Sequence, residues 1–166
     1  VATLATSVAF AASTPPADAR KPPDAVAAPD AGRLFRAVVK VSARAVPNAR
    51  SAASLGSARE GTGVLIGSDG LIVTIGYLIV EADEVTVTDH RGRVLPATVV
   101  GYDHASGFGL LRTLVPIGGR ALELGDSDAV QVRQKVLTLG QGETEATELL
   151  VLSRKPFAGS WEYLLE

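Results

Sequence analysis

No cysteine occurs in the chain, which removes a disulfide framework, a thiolate nucleophile and any Cys-based zinc site from consideration. Only two histidines are present, His90 and His104, and they stand too far apart in sequence to suggest a metal pair. Acid and base nearly balance, with a formal charge of -2, so no general attraction to nucleic acid or to an anionic membrane surface is expected. Methionine is absent as well, and the chain stops at Leu164-Leu165-Glu166 without a closing signal. Both features fit a fragment of a longer protein.

What is present begins with a short apolar run, Val1–Ser13. It is too short to cross a bilayer as a helix, which takes about 20 residues. Ala9-Phe10-Ala11 fits the small-residue cleavage pattern that follows a signal-peptide apolar region. Two readings stand: the remnant of an export signal (residues 1–13), or an Ala-rich disordered tail. The first implies a bacterial periplasmic location and no membrane insertion in the mature chain. Residues 14–32 hold five prolines between Thr14 and Asp30 and almost no large apolar side chain. Such a segment cannot bury enough surface to offset its chain entropy, and reads as a disordered linker.

From Gly32 the pattern changes. Leu34–Val38 suits a brief helical turn. Val38–Val46 alternates, placing Val39, Val41, Ala43 and Ala45 on one face. Arg33, Arg36, Lys40, Arg44, Arg50 and Arg59 make this stretch basic, either as a solvated strand face and loop or as a patch for an anionic partner. Asn48–Ala58 reads as loop. Strands are expected at Val64–Ile66 and Leu71–Ile75, joined by Ser68-Asp69-Gly70, since Asp-Gly between apolar runs is a strong hairpin signal. Val85–Thr88 and Val94–Val100 flank Asp89-His90-Arg91-Gly92, and Phe108–Leu111 is a further apolar run. Leu122–Ser127, Val136–Gly140 and Glu148–Ser153 form a second set of about three strands. Many short strands at close spacing, without a long amphipathic helix, argue an all-β barrel or sandwich. Three strands cannot close a barrel, so the second set should leave edges unpaired.

Several segments then fall in a telling order: Gly61-Thr62-Gly63-Val64, Gly70-Leu71-Ile72-Val73-Thr74, Ala82–Val87, Val99-Val100-Gly101-Tyr102-Asp103 and Leu124-Gly125-Asp126-Ser127. In this series the chain resembles trypsin-like serine proteases of the HtrA/DegP type, over roughly Leu34 to Ser153. The resemblance implies a double β-barrel, with the first barrel complete at residues 33–117 and the second truncated at residues 118–166. In active members of the family a T-N-N-H-V strand end supplies the general base. The matching residues here are Thr74-Ile75-Gly76-Tyr77-Leu78, so Tyr77 falls at the His position. A D-L-A-L-L strand supplies the orienting Asp, matched by Gly107-Phe108-Gly109-Leu110-Leu111, so Gly107 falls at the Asp position. The serine comes from a G-N-S-G-G turn, and these 166 residues contain none.

A phenol with an ordinary pKa near 10 is a poor proton acceptor at neutral pH, and glycine has no side chain to orient an imidazole. No catalytic residue is therefore intact. Other arrangements are open to inspection. Asp103-His104-Ala105-Ser106 lists all three triad residue types, but neighbours on one loop cannot readily form a relay, and Asp103 suits a turn former. His90 reads as a solvated turn residue. A Ser-Lys dyad could use Lys135 or Lys155. Glu123, Asp126 and Asp128 do not follow calcium-loop spacing. Gly140-Gln141-Gly142 lacks the strand-helix context of a phosphate loop. Arg154–Tyr163, with the only Trp at Trp161, fits either a barrel lid or a partner contact. No cofactor and no metal is expected.

Three functions remain at this level. One is a proteolytically inactive, periplasmic module that binds a protein or peptide. Another is a serine endopeptidase whose nucleophile lies beyond residue 166. The third is an unrelated β-barrel of structural type. Oligomeric state is left open by all three.

Overall fold

Valine alternation in Val38–Ala45 makes the first strand, β1, with Val39 and Val41 fully inward. The computed structural model describes residues 31–140 and 146–155. The export-signal reading and residues 14–30 of the linker reading lie outside the described residues, as do Gln141, Gly142 and most of the aromatic segment at 156–163, whereas Ala31 and Gly32, read as the end of the linker, are helical. A short helix, α1 (Ala31–Ala37), precedes β1. After it come α2 (Ala52–Leu55), β2 (Ala58–Leu65), β3 (Leu71–Ile75), a 3₁₀ turn at Gly76–Leu78, β4 (Ala82–Thr88), β5 (Val94–Tyr102) and β6 (Phe108–Thr113).

These six strands close into a barrel in the order β1-β2-β3-β6-β5-β4, every neighbouring pair antiparallel. Closure abolishes sheet edges, so the barrel presents no strand for unwanted pairing. Leu65, Ile72, Val87 and Leu111 fill the interior with the β1 valines. Leu78 and Ile79, from the turn after β3, plug one end; Ile117 and Leu122, from the segment after β6, pack against the core at partial burial. None of the helices among the described residues is long and apolar enough to cross a membrane.

Both expected hairpins are present, across residues 66–70 and 89–93. The loop reading of Asn48–Ala58 needs correction, because it contains the one-turn α2 and Ala58 already belongs to β2. The first half of β2 is hidden in the sequence because its inward positions are Arg59, Gly61 and Gly63 rather than apolar residues. A Cβ on Gly63 would sit 2.8 Å from Ile72 Cγ2 and 2.9 Å from Val41 Cγ2, so the strand crosses the core only because that position is bare.

The second set also departs from expectation. Two strands are found among the described residues, β7 (Lys135–Thr138) and β8 (Thr147–Leu150), paired as an antiparallel hairpin. Leu122 enters no ladder there. Its amide donates to the Leu65 carbonyl at 2.9 Å, and its side chain serves the barrel end, so burial against the first barrel wins over strand pairing.

Candidate functional site

β3 ends at Ile75, and the chain turns at once through Gly76–Leu78, which puts Tyr77 at the mouth of the barrel, 37% exposed. β6 begins at Phe108, paired with Ile75, and Gly107 stands just before it. The Gly76 amide donates to the Gly107 carbonyl at 2.7 Å. The fold thus brings together the two positions that the resemblance assigns to the general base and its orienter. The residues at those two positions are a phenol and a bare glycine, and the contact between their segments is made by backbone alone.

Gly107 is buried, with φ +73°, a left-handed conformation that an L side chain adopts at a cost. Its amide donates to the Asp103 carbonyl at 2.9 Å. A Cβ on Gly76 would run into the Tyr102 ring and come within 2.8 Å of the Gly107 carbonyl. Close backbone packing, capped by an aromatic ring, therefore fills the ground beside Tyr77.

Asp103, His104 and Ser106 form no relay. The Asp103 carboxylate accepts from the Ser106 hydroxyl at 2.5 Å and from the Ala105 and Ser106 amides at 3.1 Å each. These bonds, led by that from the Ser106 hydroxyl, hold its carboxyl below the usual range. The imidazole of His104 instead meets the Tyr102 ring edge-on, with centroids 4.4 Å apart. Asp103 is thus a turn former, with serine bonded directly to carboxylate. His90 is exposed in the β4–β5 turn.

The remaining candidates, apart from the Lys155 side chain, are engaged elsewhere. Lys135 is paired with Glu148 at 2.8 Å, and this bond raises its ammonium above the usual lysine range, which opposes a neutral base. The Lys155 amide donates to Ser153 Oγ at 3.2 Å. Asp126 accepts from the Asp128 amide and caps the 3₁₀ turn Ser127–Ala129. Asp128 pairs with Arg154 at 3.3 Å and Glu123 with Arg33 at 3.9 Å. No group of three or more metal-ligating side chains occurs among the described residues.

The basic stretch divides similarly. Lys40 pairs with Glu60 at 2.8 Å and Arg44 with Glu84 at 3.7 Å. Arg59 corrects the solvated reading, since only 5% of it is exposed. Its guanidinium donates to the Gly56, Tyr77 and Val80 carbonyls at 3.0, 3.0 and 2.6 Å and to Ser51 Oγ at 2.7 Å. This buried cation anchors the backbone of Tyr77. The signal for it lay in the register: counting back from Leu65 in steps of two leads through Gly63 and Gly61 to Arg59.

The barrel and its paired turn define a trypsin-type β fold. Residues 61–162 match the trypsin-like peptidase domain, more than half of the chain. The protein belongs to that family, and its relatives are of the HtrA/DegP type. It is 30% identical over 95 residues to a probable periplasmic serine endoprotease, DegP-like, of Chlamydia pneumoniae, covering 57% of this chain and 19% of that protein. It is 32% identical over 114 residues to the serine protease PepD of Mycobacterium tuberculosis, covering 62% and 25%. The magnetosome formation protease MamE of Magnetospirillum gryphiswaldense is 37% identical over 83 residues, covering 48% and 11%. The chain thus spans a quarter or less of the length of these relatives. Among solved structures, an HtrA-type protease with a tripeptide superposes with a TM-score of 0.65 at 19% identity, over 80% of this chain and 42% of that one. Family membership removes the unrelated-barrel reading.

Proposed function

We propose that this domain performs no serine-protease chemistry at its barrel mouth and acts as an exported, polypeptide-binding member of the HtrA-type family. The observation that supports it is the direct contact of the Tyr77 and Gly107 segments through the 2.7 Å bond from Gly76 to Gly107. The two positions adjoin, as a base and its orienter must, but neither offers an imidazole or a carboxylate. A serine supplied from further along the chain would find a phenol that is protonated at neutral pH and no group to hold a proton acceptor in place. Loss of an orienting carboxylate alone lowers kcat by about 10⁴ in a well-studied triad. Export is supported by the Ala9-Phe10-Ala11 pattern and by relatives named as periplasmic.

A second reading, an active endopeptidase, is favoured by relatives that are named as serine proteases. Treating the full-length protein with a fluorophosphonate serine probe separates the two. We expect no labelling above that of heat-denatured protein. Robust labelling that one serine substitution abolishes would establish the endopeptidase and end the inactive reading.

A further inference from the structure

The barrel carries a second concave surface at the end opposite Tyr77. Along the five-residue strand β3, at about 3.4 Å per residue, it lies about 15 Å from the Gly76–Leu78 turn. There the β2–β3 hairpin faces the segment that follows β6. Two cavities, of about 450 and about 300 Å³, adjoin there and share Ser68 and Ile117 in their linings, so that together they make a groove. Their sizes fall in the range of natural ligand sites, roughly 300–1,000 Å³.

The groove mixes polar and apolar lining residues, with a leucine toward each end, and is open to solvent. Leu114 lines the smaller cavity at 64% exposure and Leu124 the larger at 78%, so each cavity offers a ligand an apolar wall. Its charges are unequal. Asp69 is neutralised by Arg112 at 2.9 Å, and Glu123 faces Arg33 at 3.9 Å. Arg120 also lines the groove and has no hydrogen-bond or ion-pair partner among the described residues. An unbalanced guanidinium beside apolar walls selects a ligand that pairs a carboxylate with apolar groups.

The backbone narrows the class further. Among the described residues, the amides of Glu123, Leu124 and Gly125 donate to no protein acceptor, whereas the nearby Leu122 amide is bonded to Leu65. These residues are exposed, so their amides are open to the carbonyls of an extended peptide, a pairing that an acyl chain does not offer.

We propose that this groove is a docking site for an extended polypeptide segment with apolar side chains and one acidic residue, held by Arg120 and the Leu114 and Leu124 walls. The site is separate from the Tyr77 mouth, so it stands whether or not that mouth proves catalytic.

The test uses full-length protein and fluorescein-labelled acetyl-Leu-Val-Leu-Glu-Val-amide in fluorescence anisotropy, beside versions carrying Gln or Lys in place of Glu. We expect saturable binding of the Glu peptide, weakened at least tenfold by Arg120→Glu and by Leu124→Asp. Arg120→Glu should in turn favour the Lys peptide over the Glu peptide, a reversal that unfolding cannot mimic. Both variants should retain the parent circular dichroism spectrum, since both side chains are exposed. Absence of saturable binding, equal binding of the three peptides, indifference to both substitutions, or full displacement by an equal concentration of dodecanoate would each overturn the proposal. The last outcome would assign the groove to an acyl ligand.

Discussion

Arg59 shows how one residue can position a site it does not enter. A guanidinium removed from water must have its donors satisfied, and here three carbonyls and a hydroxyl do so, with no direct carboxylate partner among the described residues. Glu81 completes the network one step out. Its carboxylate accepts from the Ser51 and Arg50 amides at 2.8 and 3.3 Å, and bonding to Ser51 lowers its pKa. Glu81 itself holds a left-handed φ of +53°, a conformation retained where surrounding bonds over-determine it. Lysine keeps the charge but lacks the planar fork, so Arg59→Lys cannot reach all four acceptors. We expect Arg59→Lys and Arg59→Met each to cost about 2–4 kcal/mol, through buried acceptors left unmet. Ser51→Ala should cost about 1 kcal/mol. Urea denaturation of the three variants measures this, and a loss below that of Ser51→Ala in either Arg59 variant would contradict the anchoring role.

At the scale of elements, the β4–β5 hairpin is closed by a buried carboxylate as well as by its glycine. Asp89 has no exposed side-chain surface; it accepts from the Arg91 and Arg93 amides at 2.9 and 3.0 Å and from Arg93 Nε at 2.8 Å, with Arg93 Nη2 at 2.7 Å. Burial pushes its pKa up, but the Arg93 and Arg91 hydrogen bonds and the Arg93 charge outweigh it, and the net shift is downward. A carboxyl that titrates lower when folded stabilises the protein above the unfolded value, near 3.9. That contribution is lost as pH falls through the folded value. Asp89→Asn should therefore cost about 2 kcal/mol at neutral pH, and its urea midpoint should converge on that of the parent near pH 2. Parallel curves over that range would show that the carboxylate charge is not what closes the turn. This hairpin is legible in the sequence because its turn residues act locally. The start of β2 is not, because glycine and arginine at its inward positions erase the alternation by which a strand is read. Leu122 misleads for a related reason: an apolar residue in an extended segment looks like a strand member, and only the tertiary bond to Leu65 shows it as a plug. For the site, the residues Tyr77 and Gly107 are legible through ordered family motifs. The contact between Gly76 and Gly107 is not, since it joins elements far apart in the chain.

The whole molecule combines two unequal units. The six-stranded barrel satisfies its own ladder on every side and buries Val39, Val41, Leu65, Ile72, Val87 and Leu111 around one interior. The β7–β8 hairpin has a single ladder of four residue pairs, with Leu137, Leu149 and Leu150 at 40–47% exposure. A lone two-stranded hairpin is marginally stable in water. This one is reinforced at its base by bonds between Arg133, Gln134 and Val151 and across its strands by Lys135 and Glu148. An exposed pair of the latter kind contributes little. The chain studied alone should therefore open in two steps, the hairpin far below the free energy that melts the barrel. Native-state hydrogen exchange checks this directly. Amides of β7 and β8 should exchange at least about 100-fold faster than those of β1, β3 and β6, with little dependence on denaturant. Exchange of the hairpin at the barrel's own rate would mean that the two units share one cooperative core. In that case the exposed leucines of β7 and β8 would owe their stability to contacts with the barrel. The expected difference has a functional edge as well: a barrel that holds its shape independently of the hairpin keeps the Tyr77 mouth and the Arg120 groove formed at opposite ends of one rigid body. A partner could then engage either end without the chain having to refold.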